Sequence, residues 1–361
     1  MRYLLACLLA CPLILHLSAP ARAYNLYGPY PWGEDDEYYQ KWGDIFSPGS
    51  PGGTITWSLM PNGTALDATA PSYIHGTSDL TSVFNEVGGQ AAAVAMIQSA
   101  FDNWSSVANI YFEYVGIDDG TPFAAPKAPG QVLGDIRIGA FEIDGFSAGV
   151  GFSAYPPGST TLDGDMILNS RSDISFYVAP GAEGQLYDLF PPGGGLYRND
   201  FEGLVAHELG HALALAHSDV PAGLMCGYID QVNFNGSQCA YYDPDGDDKA
   251  PINRIPDPDD IAGIQFLYGP ALQADFDHNN YVDSADLALW QAGYGMASGA
   301  TYQNGDADGD GAVTGRDFLI WQREYGSGEI VPLTAIVAVP EPMAVTLGVL
   351  MLVAFVACRS R

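Results

Sequence analysis

His207-Glu208-Leu209-Gly210-His211-Ala212-Leu213-Ala214-Leu215-Ala216-His217 decides how this chain is read. Residues four apart on a helix share a face, so His207 and His211 present two imidazoles one turn apart, able to reach a single ion at ~2.0 to 2.1 Å. Asn199 or Asp200 can cap a helix starting near Phe201, and Glu202 stands three residues after Asn199, as a capping box prefers. Glu208 adjoins the same ion without being placed to ligate it, which leaves it the part of a general base. Five residues separate His211 from His217, and a bend after the helix returns His217 as the third ligand. Three nitrogens leave a fourth position open to water, which separates a catalytic zinc from a closed structural one. The chemistry expected is hydrolysis of a peptide bond by zinc-activated water, with Glu208 taking the proton and handing it to the leaving amine.

Outward from this run the chain reads as α+β. Thr54 to Leu59 alternates at period two, while Val94, Ile97, Phe101 and Trp104 recur at helical spacing and predict a helix from about Val87 to Ser105. Ile110 to Val115, Asp135 to Phe141, Gly149 to Ala154 and Met166 to Asn169 are short strand candidates between Gly/Pro/Asp turns. This order predicts a twisted mixed sheet backed by helices. Gly116 to Gly130 and Ala179 to Gly195 are long, Pro/Gly-rich and expected as surface insertions. Residues 24–53, crowded with Gly, Pro, Tyr and Asp and without a sustained period, are expected as an irregular lead-in or propeptide.

Further segments carry a family likeness. His217-Ser218 is followed by Pro221-Ala222-Gly223-Leu224-Met225; Asp259-Asp260-Ile261-Ala262-Gly263-Ile264-Gln265-Phe266-Leu267-Tyr268-Gly269 closes the region; Ala100-Phe101-Asp102-Asn103-Trp104 lies on the first long helix; Gly151 to Pro157 precedes Gly164-Asp165. Together with the histidine run these resemble the matrixins, the matrix-metalloproteinase-like family of the metzincin zinc proteases. The resemblance implies a metzincin-like catalytic domain over 54–269, a polypeptide substrate extended along the upper sheet edge, and Met225 as the Met-turn residue beneath the metal. It also implies a side-chain pocket beside the zinc, walled by Gly227 to Tyr242, whose Tyr228, Phe234, Tyr241 and Tyr242 favour apolar or aromatic groups. Three departures stand out. Ala214 replaces the family's bend glycine, and a left-handed conformation there costs an alanine ~1 to 2 kcal/mol. Ser153 and Ile167 occupy the places of structural-zinc histidines, so one zinc is expected rather than two. Between Tyr24 and Cys226 there is no cysteine to supply a latency thiolate. Asp165 reads as a turn aspartate or, by the resemblance, as part of a calcium site.

After Tyr268-Gly269-Pro270 the composition changes to two similar Asp-rich units. Asp275, Asp277, Asn279, Tyr281, Asp283 and Asp286 fall at loop positions 1, 3, 5, 7, 9 and 12, and Asp306, Asp308, Asp310, Ala312, Thr314 and Asp317 repeat them. Alternate oxygens converging on one hard cation, with position 7 giving its backbone carbonyl, is the EF-hand pattern for calcium, one ion per loop. Gly311 supplies the turn residue of the second loop and Asn280 that of the first. Helices are expected at Leu287 to Tyr294 and Phe318 to Tyr325. Asp rather than Glu at position 12, followed by Trp-Gln helices, resembles a dockerin type I module, a small all-α domain over 270–330. That resemblance implies a cohesin-like partner, yet the Ser/Thr pair of cohesin-binding faces reads Ser284-Ala285 and Gly315-Arg316, so a calcium-stapled spacer stays open beside an adhesive module.

The ends suggest export. Arg2, an apolar stretch from Tyr3 to Leu17 and Ala21-Arg22-Ala23 make residues 1–23 a signal peptide, with an N-terminal anchor as the alternative. Val339-Pro340-Glu341-Pro342, an uncharged apolar run from Met343 to Cys358 and Arg359-Ser360-Arg361 place a stop-transfer element in 331–361. This tail resembles the PEP-CTERM sorting signal, which implies an exosortase-type processing enzyme and a cell-surface or extracellular product; a plain membrane anchor is the alternative. In that oxidising compartment Cys226 and Cys239 are available for a disulfide, or stay as two buried thiols. With 13 basic against 43 acidic residues and a net charge of -30, a nucleic-acid partner is excluded. The rival to an exported protease of extracellular polypeptides is a catalytically silent surface or matrix binding protein, against which the retained Glu208 argues.

Overall fold

Ile55, Trp57 and Leu59 alternate along one strand and are all buried, and around them the main core assembles. The computed structural model describes residues 24–328 except 33–35, 127, 146, 155–161, 219, 221–222 and 227–248. The expected leader, the sorting tail from 331, the pocket wall at Gly227 to Tyr242 and Cys239 lie outside the described residues.

Three short strands, β1 (Asn25–Leu26), β2 (Tyr30–Trp32) and β3 (Asp36–Tyr38), precede β4 (Gly53–Leu59) and β5 (Ile74–His75). Helices α1 (Leu80–Glu86) and α2 (Gln90–Ser105) lead into β6 (Ile110–Ile117), β7 (Ile136–Ile143), β8 (Gly149–Gly151) and β9 (Met166–Asn169). Strands β10 (Ser175–Tyr177), β11 (Leu186–Asp188) and β12 (Arg198–Asp200) run up to α3 (Phe201–Ala212), followed by β13 (Leu215–Ala216), β14 (Lys249–Pro251) and α4 (Pro258–Tyr268). Helices α5 (Ser284–Gly293) and α6 (Gly315–Glu324) close the described chain.

The main sheet runs β6-β4-β7-β9-β8, with β5 on the far end of β7. Strands β6, β4, β7 and β9 are parallel, and β8 is an antiparallel edge. Parallel strands are covered on both faces, which is why β9 is buried throughout and β7 nearly so. Helix α2 lies across the sheet, stacking Phe101 on Trp57 with ring centroids 5.1 Å apart. The indole Nε1 of Trp104 donates to Ala206 O at 3.0 Å and ties α2 to α3. The helix expected from Val87 starts later, at Gln90, because Gly88 and Gly89 sit at φ 98° and 91° and separate it from α1.

Both expected surface insertions are exposed along much of their length but are anchored by a few buried side chains. Phe123 and Ala124 are buried with Met60, Ile74 and Phe141 in a second core, and Asp118 accepts from Arg137 Nε at 2.7 Å with neither side chain more than 1% exposed. In the other stretch, β11 pairs with β14, and Tyr187 and Leu189 pack with Ala250 and Ile252. Their Gly and Pro content marked turns, but the few apolar residues between those turns find partners distant in sequence. The lead-in likewise departs from an irregular reading: β2 and β3 form a hairpin, β1 pairs with β13, and Leu26, Tyr27, Tyr39 and Trp42 pack against the main core.

Beyond Pro270, α5 and α6 start earlier than expected because Asp283 and Thr314 cap them in capping boxes. Each tryptophan bonds the other unit's loop: Trp290 Nε1 donates to Thr314 O and Trp321 Nε1 to Asp283 O, both at 2.9 Å. Tyr111 of β6 donates its hydroxyl to Asp275 at 3.0 Å and stacks on His278 with centroids 4.0 Å apart.

The Arg137–Asp118 pair gives the first prediction. Removing one member leaves a buried charge uncompensated, so Asp118→Ala is expected to cost about 3 to 5 kcal/mol, and the double change Asp118→Leu/Arg137→Met considerably less. Urea unfolding midpoints of the three proteins measure both.

Candidate metal centre

Asp200 caps α3, its side chain accepting the Gly203 N–H at 3.2 Å. The Asn199–Glu202 box does not form, since Asn199 Nδ2 donates to Ser175 O instead. Arg254 holds Asp200 through both carboxylate oxygens, at 2.6 and 2.7 Å. Along the helix, His207 and His211 turn inward with ring centroids 4.8 Å apart. Helix α3 stops at Leu213, and Ala214 takes φ 76°, the left-handed conformation that the missing glycine left in question. The chain reverses there and brings His217 back.

Geometry shows which imidazole nitrogens are free to bind. His207 Nδ1 donates to Leu224 O at 2.7 Å and His211 Nδ1 to Leu215 O at 2.8 Å. A carbonyl only accepts, so the protons sit on Nδ1 and the Nε2 lone pairs are left open. Those two nitrogens lie 3.3 and 3.1 Å from His217 Nε2. Ligands at ~2.0 to 2.1 Å in tetrahedral array are themselves about 3.3 to 3.4 Å apart, so the donor set fits zinc. Burial pushes His207 down to about 4 and His211 well below its ordinary value, which keeps both neutral. Glu208 is buried between α3 and β8; burial pushes its carboxyl up to about 8, and a hydrogen bond from the Gly151 N–H works against the rise.

Two glycines give this packing its room. A Cβ on Gly151 would run into Glu208 O, and one on Gly210 into Met225 Sδ. Met225 is 1% exposed beneath the helix. Its N–H and that of Leu224 donate to Asp260, at 3.2 and 2.8 Å, from the first turn of α4. Cys226 is buried and disulfide-bonded, its expected partner Cys239 lying outside the described residues. Ile167 is buried in the second core, and Ser153 bonds Gln40 of the lead-in. Asp165 accepts the Arg137 N–H at 2.8 Å. A recess beside His207 is lined by Tyr187, Leu204, Pro251 and Asn253.

Each Asp-rich loop draws three of its carboxylates together. Carboxylate oxygens of Asp275, Asp277 and Asp286 lie within 4.8 Å of one another, as do those of Asp306, Asp308 and Asp317. Asn279 Oδ1 accepts the Tyr281 N–H, Asp310 accepts the Ala312 N–H, and Asp283 and Thr314 cap the helices that follow. Asn280 and Gly311 take φ 71° and 82°. Asp306 is 4% exposed, and among the described residues its Oδ1 has no hydrogen-bond partner.

Sequence reading missed Tyr27, whose ring centre lies 6.0 Å from that of His211, and Asp260 as the anchor of the Met225 turn. Asp260 carried a signal in the Asp257-Pro258-Asp259-Asp260 capping pattern; Tyr27 carried none.

A mixed sheet with an edge strand against a helix, three convergent imidazoles and a methionine turn beneath them define the metzincin class of zinc metalloproteases. The matrixin family model, a peptidase family, matches residues 80–269, more than half of the 361-residue chain, and the chain belongs to that family. No curated protein matches it.

Gly210→Ala is expected to destabilise by about 1 to 3 kcal/mol by displacing Met225, and less in a Met225→Ala background, read from thermal unfolding. A pH effect follows from His207, which titrates at 6.5 when unfolded and near 4 when folded. Between those values the unfolded chain binds more protons at this site, so the His207 contribution to the stability of chelator-stripped protein falls as pH drops from about 6.5 toward 4, against the opposite contributions of Glu208 and Asp260. Between pH 7 and 5 the urea midpoint of His207→Gln should therefore move toward greater stability relative to that of the unaltered protein.

Proposed function

We propose that this matrixin is an exported endopeptidase of extracellular polypeptides, with His207, His211 and His217 holding one catalytic Zn2+ and Glu208 as general base. The convergence of the His207 and His211 Nε2 atoms on His217 Nε2, at 3.3 and 3.1 Å, beside a buried glutamate carries this reading. Bound there, zinc supplies Lewis acidity that polarises a carbonyl and acidifies a water. Glu208 takes the proton from the attacking water and delivers it to the leaving amine, its carboxylate steadied by the Gly151 N–H. The outer edge of β8 offers backbone donors and acceptors to an extended substrate, which would add as a further strand.

Residues 270–330 serve as a dockerin-like calcium module in this proposal. One Ca2+ is held in each loop, by Asp275, Asp277 and Asp286 and by Asp306, Asp308 and Asp317, with the carbonyls of Tyr281 and Ala312 available; the unpartnered Asp306 oxygen supports a cation there. The leader at 1–23 directs export, and the 331–361 tail offers an exosortase-type cut that leaves the body at or outside the cell surface. A cohesin-like receptor is a candidate partner of the module.

Casein cleavage by the purified protein tests the activity. Cleavage should stop with a zinc chelator, return with zinc, and fall by at least about 10²-fold in Glu208→Ala; a folded, zinc-loaded protein that cuts nothing speaks for the silent scaffold. Calorimetric titration should find two calcium ions per chain, and one in Asp306→Ala.

A further inference from the structure

His207 and His211 are each anchored by a ring nitrogen, whereas His217 is exposed, and among the described residues no hydrogen bond reaches its Nδ1. Its position therefore depends on its backbone, and that backbone passes through Ala214 at φ 76°. A helix end also leaves carbonyls without intrahelical partners. Here the Leu213 and Ala214 N–H groups take those of Leu209, Gly210 and His211, and the carbonyls from Ala212 to Ala214 are met by the lead-in and α4. Trp42 Nε1 donates to Ala212 O at 3.0 Å and the Tyr27 N–H to Ala214 O at 2.9 Å. The Trp42 N–H holds the Tyr268 hydroxyl at 3.1 Å, and that hydroxyl donates to Leu213 O. Further along, Leu26 pairs with Leu215 and Asn25 with Ala216, and Asn25 Nδ2 donates to His217 O at 2.8 Å. The opposite side of the bend is fixed by the Ser218 N–H on Met225 O and the Ser218 hydroxyl on Asp259.

We propose that residues 24–42 are a permanent strap that positions the third zinc ligand, with Asn25, Tyr27 and Trp42 as positioning residues, and not a removable pro-segment. This rests on the zinc reading of the three histidines. A segment made to leave should leave the site whole, yet this one carries the tethers of the His211–His217 bend. It is also rooted in the core: Leu26, Tyr27, Tyr39 and Trp42 pack there, and Lys41 is buried, donating to Ser50 and the Asp44 carbonyl. The strap substitutes for the glycine that would take the bend unaided.

The test is zinc affinity of the full-length protein, measured by competition with a fluorescent chelator. Asn25→Ala, an exposed change, and Trp42→Phe, which keeps the ring, should each weaken zinc about tenfold, and Tyr27→Pro, which removes the tethering N–H, toward about 100-fold. Adding Ala214→Gly should restore most of the affinity in all three, a rescue that general loss of stability does not predict. Unchanged affinity in folded Asn25→Ala and Trp42→Phe proteins overturns the strap. So does a secreted form whose N-terminus lies beyond Trp42 and which binds zinc as tightly as one starting at Tyr24. If His211→Ala binds zinc as tightly as the unaltered protein, the zinc reading itself has failed, and the strap with it.

Discussion

Three imidazole nitrogens must meet in a triangle about 3.3 Å on a side, and one helix face can offer only two of them. Most of the structure around α3 answers that constraint. The chain has to stop its helix within a residue or two of His211, reverse, and return His217 at the right height. An alanine at φ 76° does this against its own preference, so the bend is held by groups that the helix does not contain. Tyr268 from α4 and Trp42 from the lead-in reach the carbonyls that the helix end leaves open. Asp260 holds the methionine turn below, whose Leu224 carbonyl orients His207.

His207, Glu208 and His211 are buried, and their electrostatics follow from that. On a chain with net charge -30, acidic groups are costly to bury, yet several are buried here. Asp118 has the guanidinium of Arg137, and Asp200 has that of Arg254. Asp260 has three backbone N–H donors, and burial beside Asp257 still pushes it up to about 7. Among the described residues Glu208 has the Gly151 N–H against its desolvation, and burial still pushes its carboxyl up to about 8. A carboxyl with a raised pKa beside neutral imidazoles is poised to trade protons near neutral pH, a use that the fully paired carboxylates of the core do not share.

Glycine does spatial work at the two closest contacts of the site. Gly210 lets Met225 rest against α3, and Gly151 lets β8 approach Glu208. The edge position of β8 follows from its antiparallel pairing to β9 at the end of an otherwise parallel set. The histidine-bearing helix and the edge strand are thereby brought side by side.

Much of this was legible in the chain itself, because period and spacing are local. Met166–Asn169 came out at its predicted bounds, and the helix through Phe101 and Trp104 differed only at a Gly-Gly start. The i, i+4 histidines and the Asp-x-Asp loops announce themselves because their ligands are close in sequence. What the sequence did not disclose depends on long-range contact: Phe123 and Tyr187 buried from segments that read as surface insertions, and the lead-in docked along the bend. The sequence by itself determined which side chains carry the chemistry and which faces they share, since residue type and helical repeat settle both. Only the tertiary structure decided where His217 stands and what holds it there, because an exposed ligand after a strained bend takes its position from partners more than 150 residues away, such as Asn25 and Trp42.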